Sequence, residues 1–130
     1  MSSFSPIEIE GRRITVYTRG GHWHPTPAWA PSMLSVSGDE WRVLYHDQIY
    51  GTRSPKSRLF GFTLGSERVI VVDPTLPQFE VADTIAHEFA HAVIAAGRAT
   101  ERDLCPLTQV QEEALCRVWA RELTRSGWQP

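Results

Sequence analysis

Between Phe79 and Ala96 the apolar residues Phe79, Ala82, Ile85, Ala86, Phe89, Ala90, Val93 and Ile94 recur at helical spacing. Pro77 stands before the start and Gly97 after the end, so the pattern predicts one amphipathic helix that stops at Gly97. Such a helix has an apolar face that must be covered, so the rest of the chain has to pack against it. The same segment carries His87, Glu88 and His91 in the spacing H-E-x-x-H. Residues four apart share a helix face one turn above the other, so the two imidazoles can grip a single ion. Imidazole nitrogens suit zinc, at about 2.0–2.1 Å in a tetrahedral shell. Glu88, next to the first histidine, is placed to hydrogen-bond a water rather than the metal and to take its proton. A bare H-E-x-x-H is a weak signal by itself. Its place in mid-helix, beside an apolar face, lifts it above chance.

A chain of 130 residues suits a single domain, 1–130, with a core of its own. Hydrophobic residues at 42% and charged residues at 22% are ordinary globular values. A net charge of −2 gives no footprint for direct binding of nucleic acid or of an anionic membrane. No apolar run approaches the length of a membrane span. Met1 to Pro6 lacks the basic region and apolar run of a secretory signal, so a soluble, cytoplasmic protein is expected. Cys105 and Cys116 form no disulfide framework and no C-x-x-C. They read as reduced thiols, with a pairing between them left open.

Ahead of the helix the chain reads mostly as strands. Ile7, Ile9, Ile14, Val16 and Thr18 alternate around Gly11, as in a hairpin. Residues 19 to 39 are the least regular, and Pro25, Pro27 and Pro31 forbid a continuous helix or central strand there. A loop anchored by Trp23 and Trp29 is expected. His22 and His24 form an H-x-H pair on one side of an extended segment, without an evident third ligand. Trp41 to Tyr50 reads as a strand turning at Gly51, Ser54 to Ser57 as a turn, and Phe60 to Leu64 as a further strand. Arg68 to Asp73 is the clearest strand, and its four apolar residues in a row imply burial on both faces. The expected fold class is α+β: a small, mostly antiparallel sheet packed against the H-E-x-x-H helix and a C-terminal helix.

That last helix is expected from about Leu107 to Arg125, opened by Pro106 or Thr108 and closed by Gly127. A catalytic zinc site built on two histidines needs a third protein ligand and an open fourth position. Glu112 and Glu113 are the candidates. Glu112 lies nearer the stripe of Leu115 and Trp119, Glu113 nearer Cys116 and Ala120, and helical geometry alone leaves both open.

The run Arg68 to Pro74, followed by Asp83 to His91, resembles the ImmA/IrrE family of metallopeptidases, a minimal thermolysin-like, zincin-like gluzincin core. The second-helix motif of that family is similar to Glu113-Ala114-Leu115-Cys116-Arg117-Val118-Trp119-Ala120 with Leu123. The resemblance covers about residues 60 to 123. It implies zinc held by His87, His91 and Glu113, with Glu112 in reserve, and Glu88 as catalytic base. It also implies an endopeptidase with one or a few protein targets, such as a DNA-binding repressor. Arg117 departs from the pattern, standing where the family usually has Asn. A guanidinium one turn from Glu113 can compete for its carboxylate. A catalytically idle zinc-binding module acting through protein–protein contact is the alternative. Tyr45, His46 and Tyr50 are candidate oxyanion donors, against a simpler role as packed aromatics.

Overall fold

Val69–Val72, four apolar residues in a row, form the strand against which the layers of the fold are stacked. In this computed structural model, which describes residues 3–100 and 107–125, all four are fully buried. Alternation along the strand explains it. Ile70 and Val72 pack with Val81, Ile85 and Ala92 of the long helix, whereas Val69 and Val71 pack with Ile7, Ile9, Val16, Ile49 and Phe62 on the other side.

The strands are β1 (Ser5–Ile9), β2 (Arg12–Thr18), β3 (Trp23–His24), β4 (Met33–Val36), β5 (Asp39–His46), β6 (Ile49–Tyr50), β7 (Arg58–Leu59), β8 (Gly61–Leu64) and β9 (Val69–Val72). The helices are α1 (Gln78–Thr100) and α2 (Gln109–Arg125). The fold is therefore α+β, as expected, but the strands divide into two sheets rather than one. The first has the order β1-β2-β6-β7; the second has β3-β5-β9-β8, with β4 also on β5. Every pairing is antiparallel except β5 with β9, which is parallel. The stretch from Trp41 to Tyr50 is thus not one strand. It crosses between sheets at Asp47-Gln48, where Gln48 takes a positive φ of 50°.

The first hairpin turns at Glu10-Gly11, where both residues have positive φ (52° and 78°), the backbone of a tight two-residue turn matched to strand twist. Ser37-Gly38 repeats the device between β4 and β5. Trp23 and Trp29 are each 43% exposed, so neither buries the Pro-rich loop in the core. Trp23 does pack, meeting the buried His46 edge-to-face with ring centroids 4.7 Å apart. The loop is fastened by Ala30 against the core and by the Tyr45 hydroxyl, which donates to the Pro31 carbonyl (2.6 Å). Short strands flank the prolines, one ending at His24 and the next starting at Met33.

Pro77 opens α1, its carbonyl accepting from the amides of Glu80 and Val81. Gly97 does not stop it. The helix continues to Thr100, because a lone glycine costs only about 1 kcal/mol among alanines and an arginine that favour helix. Thr108 opens α2 with a reciprocal cap: the Gln111 amide donates to Thr108 Oγ1 (3.1 Å) and the Thr108 amide to Gln111 Oε1 (2.9 Å). The suggested stop at Gly127, the alternative start at Pro106 and the pairing of Cys105 lie outside the described residues. Among the described residues no helix is long and apolar enough to cross a membrane.

Candidate metal centre

α1 serves three neighbours. One face, with Val81, Ile85 and Ala92, is committed to the five-stranded sheet. Glu88 points to β8, and His87, Ala90, His91 and Ile94 turn to α2. There Cys116 packs fully buried against Ala90 and Ile94, and Ala120 is buried one turn further on. Glu113 lies three and seven residues before that pair, hence on the same face of α2, and so meets the histidines.

The two histidine Nε2 atoms are 3.2 Å apart. Glu113 places Oε2 3.2 Å from His87 Nε2 and Oε1 2.7 Å from His91 Nε2. Ligand atoms each about 2.0–2.1 Å from one tetrahedral ion stand about 3.3 Å from each other. The donor set therefore fits a single ion, and His87, His91 and Glu113 form a group that could hold a metal.

Glu112 has a different task from the one held in reserve for it. Its Oε2 lies 2.6 Å from His91 Nδ1, the outer nitrogen, while its Oε1 is 2.8 Å from Arg98 Nη1. A proton on Nδ1 directed at this carboxylate leaves Nε2 with its lone pair facing Glu113 and His87. Burial pulls the pKa of His91 down, but the bond to Glu112 and the charges of Glu88 and Glu113 more than offset it, so the net shift is upward. Among the described residues no carboxylate pairs with the outer nitrogen of His87: burial dominates and lowers its pKa despite the nearby Glu113.

The Glu88 side chain is buried, and desolvation pushes its pKa up to about 7. Thr63 of β8 opposes that shift, its hydroxyl lying 2.7 Å from Glu88 Oε2 and 3.0 Å from the Glu88 carbonyl. The close approach needs Gly61. A Cβ there would sit 2.8 Å from both Thr84 Cγ2 and the Val71 carbonyl, and 3.4 Å from Glu88 Cγ. Beside the three donors opens a cleft of about 360 Å³, walled by β7, β8, α1 and α2.

Arg117 leans towards Glu113, with Nη1 3.8 Å from Oε2, too far for a hydrogen bond, and is mostly solvent-exposed. Tyr45, His46 and Tyr50 are packed aromatics. None lines the cleft, and burial raises the pKa of Tyr45 and lowers that of His46. His22 and His24 stay apart from the centre and gather around Asp47: the His22 amide donates to Oδ1 (2.6 Å), and His24 Nε2 lies 3.3 Å from Oδ2. Thr63 and Arg58 escaped the reading of the sequence because each reaches the site from a strand remote in the chain, with no local signal. Arg98, two turns beyond His91 on α1, escaped it because its partner Glu112 lies on the other helix. The chain matches no family model, no curated protein and no solved structure.

Proposed function

We propose that the chain is a zinc-dependent endopeptidase with a zincin-like arrangement, hydrolysing a peptide bond in one or a few protein targets. The observation that carries the reading is the mutual spacing of His87 Nε2, His91 Nε2 and the Glu113 carboxylate, 3.2, 3.2 and 2.7 Å, beside an open cleft. Those three residues would hold the ion. Zinc bound there supplies Lewis acidity, lowering the pKa of water from 15.7 towards about 7 and polarising a carbonyl.

The remaining steps belong to the protein. Glu88 borders the same cleft, and a carboxyl with a pKa near 7 can both accept and release a proton at neutral pH. Thr63 holds Oε2, leaving Oε1 to take the proton of the attacking water and deliver it to the amine that departs. Glu112, braced by Arg98, keeps the ring of His91 in one orientation. The resemblance of the motifs to regulatory peptidases makes a DNA-binding repressor the first target to try. The position of Arg117 near Glu113 favours a second reading, a zinc module that acts by binding with its catalytic groups idle.

Metal analysis of untagged protein, with cleavage assays on peptide libraries and candidate repressors, decides. Wild type and Glu88→Gln should each carry about one zinc, and the variant should lose roughly 10²–10⁴-fold in cleavage rate. Zinc in both proteins with identical action of both would leave the binding module standing instead.

A further inference from the structure

The cleft next to the donors is flanked by two arginines that the metal does not need. Arg58, on β7, donates from Nη2 to Asp73 Oδ2 at 3.0 Å. Asp73 is fully buried, and its Oδ1 accepts from both the amide and the hydroxyl of Thr75 (2.9 and 2.6 Å). The Arg58 side chain is nonetheless 38% exposed. A guanidinium fixed through one nitrogen keeps most of its five N–H donors for another partner, and keeps them in a set orientation. Arg117 borders the same cleft from α2, 59% exposed and not hydrogen-bonded to Glu113. The apolar Leu59 and Phe60 and the acidic Asp83 of α1 line the cleft as well.

We infer that Arg58 and Arg117 form a carboxylate subsite, and that the substrate carries an acidic group close to the bond that is cut. The inference rests on the peptidase reading for that bond, but the subsite itself is a binding statement. The charges decide how such a site must work. Asp73 offsets Arg58, Glu113 stands 3.8 Å from Arg117, and Asp83 and Glu88 also line the cleft, so it is no strongly cationic funnel. Selectivity comes from the planar fork, which pairs two parallel N–H groups with the two oxygens of a carboxylate and has no equivalent match for an amide. Arg58 is already held, so little side-chain freedom is lost when the partner arrives. A lysine in either position keeps the charge and loses the fork. The acidic group is either a Glu or Asp side chain or the free C-terminus of a peptide, since both present the same carboxylate.

The probes are N-acetylated, C-amidated decapeptide libraries with one fixed Glu, the matched libraries with Gln, and the Gln libraries with a free C-terminal carboxyl. Zinc-loaded wild type is assayed for kcat/KM, and Glu88→Gln for binding by fluorescence anisotropy. One acidic arm should lead the neutral arm by roughly tenfold or more in both readouts, the least that a hydrogen bond to a charged group supplies. The Glu arm leading identifies a side chain, the free-acid arm a C-terminus. Arg117→Gln, Arg117→Lys and Arg58→Lys should each narrow the gap to about twofold. Arg58→Lys retains a cation for Asp73, and thermal melts check its folding; the Arg117 variants stand alone if it misfolds. Equal handling of acidic and neutral arms by wild type overturns the subsite and leaves the peptidase untouched. Arginine-dependent binding of an acidic arm without cleavage of any library keeps the subsite and removes the peptidase.

Discussion

Adjacent glutamates of α2 address opposite nitrogens of one imidazole. Glu113 approaches His91 Nε2, and Glu112 approaches Nδ1 while paired with Arg98. A carboxylate on the outer nitrogen fixes the ring and raises its basicity as a ligand, and losing one commonly costs 10–100-fold in metal affinity. Glu112→Gln should therefore weaken zinc binding by about that factor, measured by competition with a chromophoric chelator. Unchanged affinity would mean that Glu112 only docks the helix. Thr63 makes a parallel case for Glu88. Thr63→Val removes the hydroxyl 2.7 Å from Oε2, and a hydrogen bond to a charged group contributes about 1.5–3 kcal/mol. Turnover should fall roughly tenfold or more with zinc content unchanged, and Thr63→Ser should restore most of it. Helical geometry alone left the ligand open between Glu112 and Glu113, and only the motif resemblance pointed to Glu113, for a simple reason. Neighbouring helix positions point in different directions, and the seating of Cys116 on Ala90 and Ile94 sets which of them reaches the Nε2 atoms of His87 and His91. The spacing of His87 and His91 was legible because it is internal to one helix.

At the scale of elements, β8 and α1 touch where Gly61 permits it. A methyl group added there would meet the Val71 carbonyl, which belongs to the sheet and cannot yield. Gly61→Ala should cost about 1–3 kcal/mol in denaturant unfolding, in line with overpacking elsewhere. Adding Thr84→Ser, which removes Cγ2, should recover only part of it. The edge strand β3 has a separate latch in Asp47. Burial alone would lift the pKa of this carboxyl, but the His22 amide and the His24 imidazole outweigh burial and hold it below the usual carboxylate range, with His46 adding to the effect. A depressed folded-state pKa adds stability that is present above the unfolded value of about 3.9 and disappears as the pH falls through the folded value. The midpoint difference between wild type and Asp47→Asn should thus be present at about pH 5 and shrink below about pH 4. A difference independent of pH would show that the carboxylate charge plays no part. Elements carried by a local pattern were readable: the run of Val69 to Val72, the apolar period of α1, the turn at Gly11. The strands β3, β4 and β7 were not: each is only two to four residues long, β3 and β7 exist only through pairing across an intervening stretch of chain, and β4 pairs with β5 over the Ser37-Gly38 turn directly after the Pro-rich stretch.

Across the whole molecule the layers differ in how firmly they are fixed. Two apolar clusters bind the sheets and α1 into one mass, whereas α2 rests on α1 through Ala90, Ile94, Cys116 and the partly buried Leu107. Only Cys116 and Ala120 of α2 are buried, while Val110, Leu115, Val118 and Trp119 remain exposed. Apolar burial therefore holds α2 weakly, and the polar links from Glu112 and Glu113 to His91, His87 and Arg98 make up much of its attachment. A metal bound by His87, His91 and Glu113 would tie the two helices directly, so binding and docking become one equilibrium. An ion present at about a thousand times its Kd stabilises the bound form by about 4 kcal/mol. Chelation should accordingly lower the melting temperature, and hydrogen exchange should locate the loss. Amides of α2 should open first, and those of β5 and β9 should keep their protection until global unfolding. Glu113→Ala should show the same exchange pattern with or without added zinc. Uniform loss of protection over sheet and helix on chelation would show instead that α2 is an integral part of the core and that the ion is no clasp between helices.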